Sequence, residues 1–193
     1  MHNITTADLC EEAHERLSID EPYVEGGDTY TDEAQRWFEY HLSELEQDLC
    51  DKGYQFNRDT SEWEPTRFYI GDPSLILGEE RFQGMLRGLS PGESRGRAYI
   101  NEAHEIPVMW AYTVAGDGVF LVYNDKDEHI GEVTVDSGMI AFIPQDLADK
   151  DTVEKAMKEE HVLPPRALNI DKFSFSEENG SIILGDIWVN VKW

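Results

Sequence analysis

The hydrophobic period of this chain changes once, and that change constrains its fold more than any other feature. Across residues 31–51, Ala34, Trp37, Phe38, His41, Leu42, Leu45 and Leu49 recur at the spacing of one helix face, and Gly53 stands where such a helix would end. This predicts an amphipathic helix capped by Thr31, its aromatic stripe turned to the core and its carboxylates to solvent. Further along, the apolar residues come in short strand-like stretches at 107–115, 119–124, 130–135 and 139–143. Gly116-Asp117-Gly118, Asp125-Lys126-Asp127 and Ser137-Gly138 separate them. Turns this short favour antiparallel neighbours. The pattern predicts an α+β fold with acidic N-terminal helices packed on a mostly antiparallel β-sheet.

The remaining elements follow from local signals. Residues 6–18 read as a helix with Thr5 or Thr6 as N-cap, and 20–30 as a loop. Residues 57–65 are a polar stretch, 66–70 a strand stopped by Gly71-Asp72-Pro73, 79–89 a short helix, and 90–96 a loop. Residues 152–161 form a charged helix, Pro164-Pro165 breaks the chain, and 172–175 with 181–193 close a final hairpin. A chain of 193 residues buries roughly 70% of its unfolded surface and needs no metal or disulfide to fold. One domain over 1–193 is expected, with an acidic helical part at 1–53 and a β-rich core at 66–193. Near-alternation in the strands puts most of Trp110, Trp188 and Trp193 in the core.

Charge narrows the partners. The net charge is −24, from 40 acidic and 16 basic side chains, and direct nucleic-acid binding relies on the Lys and Arg that are scarce here. The excess is concentrated at the front: residues 1–51 carry a net of −13, and the other 142 a net of −11. Adaptation to high salt would spread acid evenly, so this distribution weighs against it. Cys10 and Cys50 form neither a C-x-x-C pair nor a disulfide framework. The first residues lack the basic and apolar regions of a signal peptide, and no stretch approaches the roughly 18 apolar residues of a membrane span. A cytoplasmic protein with no membrane partner is the expectation.

Motifs for chemistry are few. Gly92-Glu93-Ser94-Arg95-Gly96 matches the nucleophile-elbow pattern, with Asp136 and His161 following in hydrolase order. The elbow needs a strand running into the serine and a helix leaving it, whereas a helix precedes Ser94 here and a strand follows, so a polar surface loop is the better reading. The six histidines show no metal-ligand spacing, so neither a metal nor a cofactor is expected. His104 beside Glu105 has the composition of an acid/base pair. Asp72, Asp117 and Asp136 each occupy a tight turn at a strand end; together with His104 they would serve a small-ligand or hydrolase-type site if the sheet gathers them. The competing explanation is that tight turns demand Asp and Gly for their own geometry.

The stretches Tyr69-Ile70-Gly71-Asp72-Pro73, Gly116-Asp117-Gly118-Val119-Phe120 and Val135-Asp136-Ser137-Gly138-Met139-Ile140, with Ile143-Pro144, resemble an uncharacterised group of small bacterial and phage proteins with a GDP…GDG-x-Y…VDSG pattern. The likeness covers about residues 66–145, with Phe120 where the pattern has Tyr. It implies a compact β-rich core and a prokaryotic or phage origin, and no particular reaction. The residues themselves favour an acidic, non-enzymatic protein-binding module. Its helix at 31–51, through Glu39, Glu44, Glu46 and Asp48, would dock on the basic surface of another protein, including a nucleic-acid-binding one that it blocks by imitating phosphate.

Overall fold

A computed structural model describes residues 3–20, 32–58, 60–100, 106–176 and 180–191. The fold is α+β, and the chain divides into two compact units, Met1–Pro65 and Thr66–Trp193.

The first unit contains β1 (Ile4–Thr5), α1 (Thr6–Asp20), α2 (Asp32–Asp51), β2 (Tyr54–Asn57) and β3 (Glu62–Pro65). Thr5 caps α1: its Oγ1 accepts from Asp8 N at 3.2 Å, while Asp8 Oδ2 accepts from Thr5 N at 2.8 Å. Leu9 and Ala13 of α1 and Leu45 and Leu49 of α2 form one core with Tyr54 and Trp63. The expected polar stretch is in fact largely sheet: β3 lies between β1 and β2, with Trp63 opposite both Ile4 and Phe56. Strands of four residues carry too few alternations to announce themselves, and Trp63 alone on β3 is buried.

The second unit holds β4 (Arg67–Gly71), α3 (Pro73–Gly88), β5 (Arg95–Ala98), β6 (Val108–Tyr112), β7 (Gly118–Asn124), β8 (His129–Val135) and β9 (Met139–Pro144). It continues with α4 (Lys150–Lys158), β10 (Leu163–Ala167), β11 (Ser174–Ser176), β12 (Ser181–Leu184) and β13 (Ile187–Asn190). Two five-stranded antiparallel sheets run β10-β4-β9-β6-β5 and β11-β12-β13-β7-β8. Phe68, Ile70, Met109 and Phe142 of the first meet Phe120, Val122, Val133 and Val189 of the second in one core. The other face of the first sheet, with Tyr69, Trp110 and Ile143, packs against Ile76, Leu77, Phe82 and Met85 of α3 and Val153 of α4. This layering explains the sequence patterns: β9, central and covered on both faces, is buried at all six residues, whereas β7 alternates.

Two expectations for this unit need correction. Pro164-Pro165 does not break the chain; β10 runs through both on the sheet edge, where a missing N–H is tolerated, with a register shift between Leu163 and Arg166. The final hairpin is three strands, because Gly185 (φ 63°) turns the chain between β12 and β13. The predicted helix at 79–89 matches the second part of α3, whose first turn is set off by a kink at Gly78 (φ 72°, ψ 163°). Trp110 is fully buried, Trp188 is half-buried, and Trp193 lies outside the described residues. No described helix is long and apolar enough to cross a membrane.

Candidate functional site: an acidic, aromatic helix face and a knot of turns

On α2 the buried stripe is His41, Leu45 and Leu49, flanked by the half-buried Phe38 and Leu42. Glu39, Glu44, Glu46 and Asp48 are all exposed. At about 100° per residue, Glu39 and Glu46 share one flank of the helix. Glu44 and Asp48 share the other, on the order of 150° away around the axis. Arg36, Ser43 and Gln47, all exposed, occupy the side that faces away from the core. The four carboxylates therefore form two separate rows.

The Glu44/Asp48 row has a feature the sequence reading missed. Trp37 was expected in the core stripe, yet it is 43% exposed, and Tyr40 is 52% exposed. Trp37 stands one turn of helix before His41, on the boundary of the buried stripe. Its ring lies edge-on to Tyr40 at 5.9 Å and stacks on His41 at 6.1 Å. Tyr40 Oη donates to Glu44 Oε1 at 2.7 Å, and this bond, with the carboxylate's charge, raises the phenol's pKa. His41 Nδ1 lies 3.4 Å from Glu44 Oε2, and Lys52 pairs with Asp48 one turn on. The result is a stripe of aromatic faces and carboxylates, a combination suited to cationic side chains. On the opposite flank Glu39 accepts from Gln35 at 2.8 Å.

The three turn aspartates come together at one end of the two sheets, with different roles. Asp72 is fully buried and caps α3. Its Oδ1 accepts from Ser74 N and Ser74 Oγ at 2.7 Å each and from Ser137 Oγ at 2.8 Å. Its Oδ2 accepts from Asp136 N at 2.6 Å and Ser137 N at 2.7 Å. Five donors thus converge on one carboxylate, more than enough to fill its roughly four lone-pair sites and offset the cost of burying it. Asp117 and Asp136 flank the last pair of the β7–β8 ladder, Gly118 with Val135, and both are exposed. Thr113 N donates to Gly138 O at 2.9 Å, which ties the β6–β7 turn to the β8–β9 turn. The Gly-Asp-Pro, Gly-Asp-Gly and Asp-Ser-Gly motifs are thus parts of one knot of turns, with Ser74 and Ser137 as its unforeseen members.

His104 and Glu105 lie outside the described residues. Ser94 sits exposed in the turn that enters β5, after α3, and its carbonyl accepts from Tyr112 N at 2.8 Å; the strand–serine–helix order of an elbow is not present. Among the described residues, no three His, Cys, Asp or Glu side chains are placed to hold a metal ion. No family model matches the chain, and neither the curated proteins nor the solved structures contain a match to it.

Proposed function

We propose that the chain is an acidic, non-enzymatic, cytoplasmic protein-binding module that docks on the basic surface of another protein through α2. The observation that carries this reading is the exposed Trp37–Tyr40–Glu44–Asp48 stripe. These aromatics stay in water although the first unit has a core available, while exposed Trp and Tyr beside carboxylates are side chains that contribute strongly when covered by a cationic partner. A nucleic-acid-binding protein is the favoured partner class, because carboxylates along a helix offer its Lys and Arg a substitute for phosphate. The test is affinity capture from a host lysate at low and high salt, using the chain and a variant with Lys at Glu39, Glu44, Glu46 and Asp48. Salt-sensitive capture of one basic protein, lost in the variant, is the expected result; capture of nothing specific contradicts it.

One observation favours a second reading, a small-ligand site at the knot of turns: Asp117 and Asp136 stand together and exposed beside buried Asp72. Under that reading, Asp117→Asn with Asp136→Asn abolishes ligand binding without unfolding the chain.

A further inference from the structure

The outer face of the β11-β12-β13-β7-β8 sheet carries an apolar strip that reaches solvent. Along β7, Val119 and Leu121 are 46% and 39% exposed, and Tyr123 continues the same face because side chains alternate along a strand. Across the ladder Tyr123 faces Trp188 of β13, which faces Ile183 of β12. The two rings stack at 4.4 Å with planes 14° apart. Trp188 Nε1 donates to Asn124 O at 3.0 Å, which anchors the indole beside the Tyr123 ring. The core takes the alternate residues Phe120, Val122, Ile187 and Val189, and this strip is surplus to it.

One end of the strip is acidic. Ile187 pairs with Asn124, which sets the β7–β8 turn beside the β12–β13 turn. Asp125, Asp127 and Glu128, with Lys126 between them, and Asp186 of the second turn are all exposed there. Glu132 stands opposite Leu121 on β8. A second copy of a chain with net charge −24 would bring like charges together on both sides of such an interface. Charge complementarity selects the opposite occupant.

We propose that this face docks an amphipathic basic segment of another protein, its Lys or Arg lying against the acidic turns and over the Tyr123–Trp188 stack, its apolar side chains along Leu121 and Val119. It shares no residue with α2 and is independent of the reading given to that helix. The test titrates the full chain with two synthetic peptides of equal length, one alternating Leu and Lys, the other Leu and Glu. A chain this acidic attracts cations over much of its surface, so the deciding comparison is the variant Val119→Ser with Leu121→Ser, whose positions are exposed enough to leave the fold intact by circular dichroism. The expected result is binding of the Leu/Lys peptide alone, weakened about tenfold in the serine variant, with amide exchange slowed along β7. Equal binding by the variant, or equal binding of both peptides, overturns the proposal. So does sedimentation of the unliganded chain as a dimer that Leu121→Ser dissolves, since the occupant would then be a second copy.

Discussion

Asp72 holds the second unit together at a point where backbone chemistry leaves no alternative. Removing its buried carboxylate would leave the part-buried amides of Asp136 and Ser137 and the first turn of α3 without their acceptor, so Asp72→Ala should cost about 3 kcal/mol or more. Urea denaturation checks this; a loss below about 1 kcal/mol would contradict it. Asp149, the N-cap of α4, accepts from Thr152 N at 2.9 Å and Thr152 Oγ1 at 2.8 Å. These bonds, the backbone one foremost, hold its pKa below the ordinary 3.8. A lowered folded-state value means that its stabilising contribution is complete above the unfolded value and fades as pH falls through the folded one. Asp149→Asn keeps an N-cap oxygen but does not titrate, so melting temperatures from about pH 5 down to pH 2 should fall less steeply for the variant. Asp72 was legible in the sequence only as a turn residue. The partner that makes Asp72 a hub lies 64 and 65 residues away at Asp136 and Ser137, and local pattern carries no such information.

At the scale of elements, long periodic segments were readable and short ones were not. The 20 residues of α2 repeat their signal often enough to place the helix, and β6 to β9 are bounded by Gly and Asp turns that leave little choice. The four-residue β2 and β3 repeat too little, and β10 was hidden by prolines that an edge strand tolerates. The two rows of carboxylates on α2 follow from helix geometry once the buried stripe is known, but the exposure of Trp37 does not, since the same residue fits the stripe by spacing. Within α3, two glycines should respond with opposite signs. A Cβ at Gly78 (φ 72°) would also meet Asp149 Cβ at 3.2 Å, so Gly78→Ala should destabilise by about 1–2 kcal/mol. A Cβ at Gly84 meets nothing within 4 Å, and Gly84→Ala should stabilise by about 0.5–1 kcal/mol. Thermal melts of the two variants distinguish the kinked arrangement from a continuous helix, in which both substitutions would stabilise.

Over the whole molecule, the charge of −24 admits two explanations that salt separates. If the acid excess were an adaptation to brine, the fold would need molar salt; as a docking device it needs only enough salt to screen self-repulsion over about 10 Å, the Debye length near 0.1 M. Circular dichroism should therefore show full structure at that ionic strength. The docking account also assigns unequal weight to the two rows of α2. The most direct measurement is the affinity of the captured partner for two charge-reversed pairs, Glu44→Lys with Asp48→Lys and Glu39→Lys with Glu46→Lys, across a salt series. The account predicts that the first pair, beside Trp37 and Tyr40, loses about tenfold or more in affinity and flattens the salt dependence, while the second loses less. Equal losses from the two pairs would mean diffuse attraction to net charge, and no loss from either would mean that α2 is not the docking surface.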